Sequence, residues 1–390
     1  MDRIESPGAE KYSSAERLGL WLRDEMVNNP DFYFFSPDET SSNKFNAVYE
    51  ANDRAWLAEL EPWDKYMSPG GRVIDLLSEN VLFAMLSGHV LSGGQGAMAS
   101  YEAFWPIVSS QLDQYIKFLD QSRDIDWRAK VSALNLISTS TCWRQDHNGF
   151  SHQSPTLISN LLDKPSNLVN CLFPVDDVAS VAAGELMSRT KDVVNFTTIN
   201  KTEEPRWIDI NHARFQLTNG GASIFQFASD DNPDVILTAA GDIVSREVLY
   251  AMEIVRERLP ELRMRFVGIA ALSYGAIGTT ENKLKQADFE DYYTADKPIV
   301  ANFHGYSGAL RSILSNYADA WRLLVHGFCD KGSTTTPLDM LIRNQASRYD
   351  IATEVFWLAG RGDLAEEMGR KIAENTEYIK QHGEDLSDSL

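Results

Sequence analysis

The chain has 390 residues, of which 43% are hydrophobic and 24% are charged, and this composition is typical of a globular protein with well-packed cores. The 36 Lys and Arg residues and 56 Asp and Glu residues give a formal net charge of −20, which disfavours binding to nucleic acid and to anionic membranes. No stretch approaches the ~20 apolar residues of a membrane span, so we expect a cytoplasmic protein. The three cysteines lack CxxC spacing, and we predict no metal site on this chain.

Residues 14–206 predict an α/β domain that follows a polar, flexible N-terminal segment, residues 1–13. An amphipathic helix is expected at 14–27 and an extended segment at 32–35. A strand at 72–77 ends at Ser78 and Glu79. A glycine-rich loop at 93–96 leads to a helical stretch over 101–119. Further strands are predicted at 131–137, 168–174 and 193–198, with a helix at 177–187 that Asp176 or Asp177 caps.

Residues 207–390 predict a second, smaller α/β domain. Its strands are expected at 235–238, 263–269 and 299–303, and its helices at 245–258 and 364–381. Alternation of strands and helices indicates parallel sheets, so the predicted fold class is α/β with two parallel-sheet domains. Ligands of such sheets bind at the carboxyl ends of the strands.

The densest polar run of the chain lies at one predicted strand end, from Trp143 to Gln153. It contains His147 and His152, two of the seven histidines, with amide and hydroxyl side chains between them. Such a run either lines a wet cleft or forms a fully hydrogen-bonded structural loop.

The run from Arg144 to Gln153 resembles the signature of phosphoketolases, thiamine-diphosphate enzymes that cleave xylulose 5-phosphate or fructose 6-phosphate with inorganic phosphate. Other segments similar to this family lie, in the family's order, at 29–31, 37–43, 100–104, 332–340 and 382–385. The resemblance runs from about residue 14 to the end. It implies the pyrimidine-binding domain and the C-terminal domain of a transketolase-like enzyme.

The resemblance covers one half of the family's chain. The other half of the family binds the diphosphate and Mg²⁺ through Gly-Asp-Gly and a following Asn, and this sequence has no Gly-Asp-Gly triplet. The resemblance therefore implies a split enzyme, in which a separate diphosphate-binding subunit holds the Mg²⁺. We expect activity only with that partner, in an α2β2 heterotetramer.

The resemblance also implies roles for single residues. Glu79 matches the carboxyl group that hydrogen-bonds N1′ of the cofactor pyrimidine, and Tyr101 and Phe104 match the aromatic residues packed against that ring. Without the resemblance, we would interpret Glu79 as a surface charge at a strand end. We would place Tyr101 and Phe104 on the buried face of a helix. Four residues match positions that hold the substrate phosphate in the family: Ser42, Lys44, His152 and Lys201. Lys44 replaces the family's usual Arg, so a point charge takes the place of a bidentate fork.

Gln145, His147 and Asn148 would face the reacting carbons, with His147 and His152 as the acid and base groups. The reaction that the resemblance implies cleaves a ketose phosphate to a two-carbon thiamine adduct, which passes to phosphate or another acceptor. Departures from the family at Asn80, the 93–96 loop, Thr141 and 317–322 leave two alternatives open. One is a two-carbon transferase of secondary metabolism, and the other is a non-catalytic regulatory subunit. The sequence of the 93–96 loop is compatible with a phosphate-binding loop and with an ordinary turn.

Overall fold

The computed structural model describes residues 6–386, so residues 1–5 of the predicted flexible segment lie outside the described residues. The strands are β1 Lys11–Ser13, β2 Phe32–Ser36, β3 Arg54–Ala55, β4 Met67–Ser68, β5 Val73–Asp75, β6 Gln95–Tyr101, β7 Leu134–Thr139, β8 Val169–Leu172, β9 Val194–Thr198, β10 Glu203–Pro205, β11 Ala222–Ile224, β12 Val235–Ala240, β13 Met264–Ile269, β14 Ala271–Ser273, β15 Ala276–Ile277, β16 Ile299–Tyr306 and β17 Leu323–Phe328. The helices are α1 Ser14–Asn28, α2 Val48–Ala51, α3 Glu79–Leu91, α4 Ser109–Ser122, α5 Thr156–Leu162, α6 Asp177–Arg189, α7 Ile210–Thr218, α8 Asp242–Arg258, α9 Gln286–Tyr293, α10 Ser307–Leu314, α11 Pro337–Arg343, α12 Arg348–Leu358 and α13 Gly362–His382.

The described chain packs as two compact units. The first contains residues 6–141 and 164–217, and the second contains residues 142–163 and 218–386. The polar run at 143–153 therefore packs with the second unit. The boundary between residues 206 and 207 that the sequence pattern suggests remains a prediction.

The first unit is built on parallel strands in the order β8-β9-β7-β6-β2-β5-β3-β4. Helix α1 packs on this sheet because Leu18, Leu22 and Met26 form one apolar face, and all three side chains are fully buried. They meet Phe34 and Ile137 from the strands in one hydrophobic core. The short strand β1, within the segment expected to be flexible, pairs antiparallel with β10.

The second unit has a smaller sheet in the order β11-β13-β12-β16-β17. Strands β13, β12, β16 and β17 are parallel, and β11 is antiparallel to β13. Strand β12 is buried along its whole length, as expected for a parallel strand covered on both faces. The prediction of an α/β protein with two mainly parallel sheets is confirmed. Within residues 6–386, no helix is both long enough and apolar enough to cross a membrane.

Most predicted elements are confirmed with small shifts at their ends. Helix α1 covers the predicted 14–27 helix, and Asp176 caps α6 by accepting a hydrogen bond from Ala179 N over 2.8 Å. The prediction of one helix over 101–119 was wrong. Tyr101 ends strand β6, residues Glu102–Val108 form a 3-10 helix that contains Pro106, and α4 follows at Ser109. A proline inside this stretch removes a backbone donor, so a continuous α-helix is disfavoured.

Candidate active site

Glu79 is the first residue of helix α3 and lies four positions after Asp75, the last residue of strand β5. Strand β5 ends at Asp75, and a short loop leads to Ser78, whose hydroxyl caps the helix by accepting from Val81 N over 3.5 Å. The prediction that Glu79 ends a strand was therefore wrong, because Ser78 is a favoured helix cap that stops the strand early. The position at the first turn of a helix favours a carboxylate. Its side chain is neither buried nor fully exposed.

Tyr101 is the centre of a cluster at the carboxyl end of β6. The Tyr101 and Phe104 rings stack nearly parallel, with their centroids 5.8 Å apart and 6° between their planes. The Tyr101 hydroxyl donates to Ser42 Oγ over 3.1 Å, and Lys201 Nζ lies 4.8 Å from the centroid of the Tyr101 ring. The structure therefore brings together four of the residues assigned to the cofactor and the phosphate: Ser42, Tyr101, Phe104 and Lys201.

Lys44, the remaining phosphate residue of the first unit, points elsewhere. Its ammonium group lies 3.1 Å from Glu16 Oε1, and both side chains are about half exposed. An exposed ion pair of this kind contributes little to stability, so it would not prevent Lys44 from moving to a ligand. The role of Lys44 stays a prediction.

Glu39 joins this cluster, although the sequence analysis assigned it no role. Its Oε2 accepts from Tyr101 N over 3.1 Å and from Asn43 Nδ2 over 3.4 Å. Burial, assisted by the charge of Glu79, raises the pKa of Glu39 to about 8, while the Tyr101 amide, Asn43 and Lys201 lower it only in part. At neutral pH the group is therefore mainly a neutral acid. In the sequence, the feature that could have identified Glu39 was its place in the family-like segment 37–40, just after β2.

We expect the substitution Glu39→Gln to raise stability relative to wild type at high pH more than at low pH. The folded pKa lies above the ordinary value of 4.5, so the folded protein binds the proton more tightly than the unfolded chain. The stabilising effect of the protonated group is complete below about pH 4.5 and is lost as the pH rises through about 8. Urea unfolding at pH 5 and pH 9 should show the variant gaining stability relative to wild type at the higher pH. An equal difference at both values would contradict the raised pKa, and Glu61→Gln, at an exposed carboxylate, is the control.

The polar run of the second unit is anchored by Trp143. Its ring is fully buried, its Nε1 donates to His304 O over 2.9 Å, and it packs edge-on against Phe328 with a centroid distance of 5.4 Å. These contacts attach the start of the run to strands β16 and β17. The loop that follows is therefore held at its base by a large buried aromatic side chain.

Within this loop, some polar groups bind one another and others face solvent. Asn148 Nδ2 donates to Gln145 Oε1 over 2.6 Å, and Gln153 Nε2 donates to Gln145 O over 2.8 Å. Gln145 is fully buried, whereas His147 and Asn148 are exposed. The half-exposed His152 has its Nδ1 2.9 Å from Ser151 Oγ. The loop is thus both an internally hydrogen-bonded structure and a surface that presents imidazole and amide groups.

The structure shows the contacts or local backbone at two positions where the sequence departs from the family. Asn80 Nδ2 donates to Ile107 O over 3.3 Å and to Gln111 Oε1 over 3.1 Å, so this side chain links α3 to the 3-10 helix before α4 and to α4 itself. Ser92 and Gly93 form a turn after α3, Gly94 follows, and Gln95 and Gly96 already belong to β6. The local structure at 93–96 is that of a turn entering a strand.

The parallel sheets, their strand order and the clusters at the strand ends define the transketolase-like α/β fold. The chain is similar over 91% of its length to 47% of transketolase from Leishmania mexicana, with a TM-score of 0.68 and 15% sequence identity. It is also similar over 91% of its length to the whole of a chain described as split gene transketolase, inactive beta4 tetramer, with a TM-score of 0.59 and 13% identity.

Sequence comparison narrows this class to one family. Residues 16–188 match the family described as D-xylulose 5-phosphate/D-fructose 6-phosphate phosphoketolase, and residues 201–389 match the XFP C-terminal domain. The chain belongs to the phosphoketolase family. It is 36% identical to probable phosphoketolase 1 of Nostoc sp. over 99% of its own length, and 35% identical to the probable phosphoketolase of Synechocystis sp. over 98%. It spans about half the length of these curated relatives, 50% and 49% respectively.

Proposed function

We propose that this chain is the pyrimidine-binding subunit of a split phosphoketolase-like enzyme that depends on thiamine diphosphate. The observation that carries the proposal is the cluster of Glu39, Ser42, Tyr101, Phe104 and Lys201, which places a carboxyl group, stacked rings and a cation at one end of the first sheet. Family membership over almost the whole chain supports it.

The residues of the first unit fit an aminopyrimidine. Tyr101 and Phe104 present stacked, partly exposed aromatic faces against which a heterocycle can pack. Glu79 lies close enough to this cluster for its charge to raise the pKa of Glu39. Its carboxyl group would hold a proton at N1′ of the pyrimidine. The chemistry supplied by bound thiamine diphosphate is a nucleophilic carbon that cleaves the bond beside a ketose carbonyl.

The remaining assigned residues suit a sugar phosphate. In the first unit, Lys201 and Ser42 offer a cation and a hydroxyl donor to phosphate oxygens, and Lys44 could add a second cation. In the second unit, His152 would bind the phosphate, Gln145 and Asn148 would orient the carbon end by hydrogen bonds, and His147 would exchange protons with it. The two-carbon unit would then pass to inorganic phosphate.

We expect Lys201→Gln to raise KM for xylulose 5-phosphate by about tenfold or more, because a charge-assisted hydrogen bond contributes ~1.5–3 kcal/mol. Lys117→Gln is the matched control, since Lys117 is an exposed lysine on α4 of the same unit that has no assigned role. We expect it to leave KM within about twofold of wild type. Steady-state kinetics of the reconstituted enzyme measures both values. A change in KM for Lys201→Gln no larger than that of the control would contradict the assignment of Lys201.

A separate diphosphate-binding subunit, which would hold the Mg²⁺, is the proposed partner. The chain spans about half the length of its curated relatives, which supports a second subunit. The split gene transketolase of similar fold is described as an inactive beta4 tetramer, and the assembly that we propose for the active pair is α2β2. Helix α3, which carries Glu79, also exposes apolar side chains: Val81 is 45% and Met85 43% exposed, and Leu77 beside the helix is 83% exposed. We propose that this apolar surface contacts the partner subunit.

Reconstitution tests the proposal. The chain would be purified together with a candidate polypeptide that contains Gly-Asp-Gly followed by Asn, and supplied with thiamine diphosphate, Mg²⁺, xylulose 5-phosphate and inorganic phosphate. The expected product is acetyl phosphate, formed by the pair and by neither chain alone. Stable pairing without cofactor binding would instead favour a non-catalytic regulatory subunit.

A second candidate is a two-carbon transferase with an acceptor other than phosphate. Asn80 favours it, because the family usually has His at this position and here the side chain is engaged with Ile107 and Gln111. Product formation only when an aldose or carrier-protein acceptor replaces phosphate would support this function over the first.

A further inference from the structure

Two family-like segments of the second unit, 332–340 and 382–385, meet at the carboxylate of Asp385. Asp385 Oδ1 accepts from Thr336 Oγ1 over 2.5 Å, and Oδ2 accepts from Leu338 N over 3.0 Å. Thr336 directly precedes helix α11, and Leu338 is its second residue. Asp385 therefore holds the start of α11 through a hydroxyl and a main-chain amide, and an ionised acceptor makes such bonds strong.

Asn375 of helix α13 fixes Asp385 from the other side. Its side chain is 2% exposed; Nδ2 donates to Asp385 Oδ1 over 3.3 Å, and Oδ1 accepts from Leu386 N over 2.8 Å. The chain reverses at Gly383, whose φ of 73° is accessible to glycine at low cost. The segment after α13 is thus folded back onto its own helix, and the carboxylate has little freedom to move.

The residues just before α11 hold the polar loop of residues 143–153. Thr335 N donates to Asp146 O over 3.1 Å, and Gln153 Nε2 donates to Ser333 O over 3.4 Å. A Cβ atom at Gly332 would lie 1.7 Å from Gln153 Oε1, so a side chain at this position would displace the Gln153 amide from its present place. The Thr335 hydroxyl donates to Asp339 in the first turn of α11, which ties the same segment to the helix that Asp385 holds.

We infer that Asp385 is a positioning residue: through Thr336 and the 332–335 segment it orders the loop that carries Gln145, His147, Asn148 and His152. Asp385 touches none of these four side chains in the described structure. It acts by fixing one end of a hydrogen-bonded series that runs from the end of α13, through the start of α11, to the main chain of Asp146. That Asp385 orders the loop does not depend on the proposed function. That the ordered loop matters for catalysis rests on the proposed function.

Hydrogen–deuterium exchange on the full chain tests the inference without any assay of activity. We expect Asp385→Ala to raise amide exchange in residues 143–153 and 333–338 by about tenfold or more, since at least two hydrogen bonds to a charged group are lost. Exchange in β12, Val235–Ala240, should stay as in wild type. Glu384→Gln is the matched control, because it removes the neighbouring exposed carboxylate. Exchange at 143–153 that matches this control would overturn the inference.

Thr336→Val provides a second variant in case Asp385→Ala unfolds the whole second unit. It removes only the Oγ donor, and we expect a smaller rise confined to the same segments. In the reconstituted enzyme, Asp385→Ala should lower kcat/KM by about tenfold, with partial recovery in Asp385→Glu. Unchanged kcat/KM in a pair that is active with the wild-type chain would overturn the positioning role. A wild-type pair with no activity would count against the proposed function, and the exchange result would still decide whether Asp385 orders the loop.

Discussion

Glu79→Gln is expected to lower turnover of the reconstituted enzyme by at least about a thousandfold while the subunits still assemble. Glutamine keeps the size and the position at the start of α3, but it cannot share a proton with a ring nitrogen in the way that a carboxylic acid can. Acetyl phosphate formation at saturating xylulose 5-phosphate measures the effect, and size-exclusion chromatography of the pair measures assembly.

The matched control for Glu79 is Glu203→Gln, which neutralises an exposed carboxylate on strand β10 of the same unit. It should leave turnover within about twofold of wild type. If Glu79→Gln retained turnover within about tenfold of wild type, Glu79 would not be the carboxyl group that activates the cofactor.

Glu247→Gln is expected to cause the largest loss of stability, about 3 kcal/mol at pH 7, because it leaves two arginines without their buried counter-charge. Glu247 is fully buried on α8, where Oε2 accepts from Arg348 N and Nε, both over 3.0 Å. Oε1 accepts from Arg348 Nη2 over 3.0 Å and from Arg246 Nη2 over 2.8 Å. This group joins α8 to α12, so urea unfolding of the second unit should report its loss.

The same substitution has a defined pH dependence. Burial alone would raise the pKa of Glu247, but Arg348 and Arg246 overcome burial and lower it from 4.5 to about 2. A depressed pKa means that the stabilisation is complete above about pH 4.5 and is lost as the pH falls towards 2. The difference between wild type and Glu247→Gln should therefore shrink below pH 4.5. Glu253→Gln, on an exposed position of the same helix, should show no such loss at pH 7.

Local patterns in the sequence were sufficient to predict several helices and their starts. The apolar spacing within residues 14–27 predicted α1, and Asp176 predicted the start of α6, because both depend on contacts within a few residues. The same patterns failed around Tyr101. Strand β6, with the sequence Gln-Gly-Ala-Met-Ala-Ser-Tyr, is buried between neighbouring parallel strands, and its small residues carry neither a period of two nor a strong strand preference.

The residues proposed for the site came from the family-like segments, whereas the protonation and contacts of these residues depend on tertiary structure. Glu39 and Tyr101 are 62 positions apart, and Thr336 and Asp385 are 49 positions apart. No local rule pairs such residues, since their contact exists only once strands and helices have packed. Burial at that point raises the pKa of Glu39, and the two arginines around Glu247 lower its pKa. The sequence alone therefore determined the local elements and the family-like segments. The protonation and orientation of the carboxyl side chains were decided by the tertiary structure, because folding removes water from these groups and brings distant charges close to them.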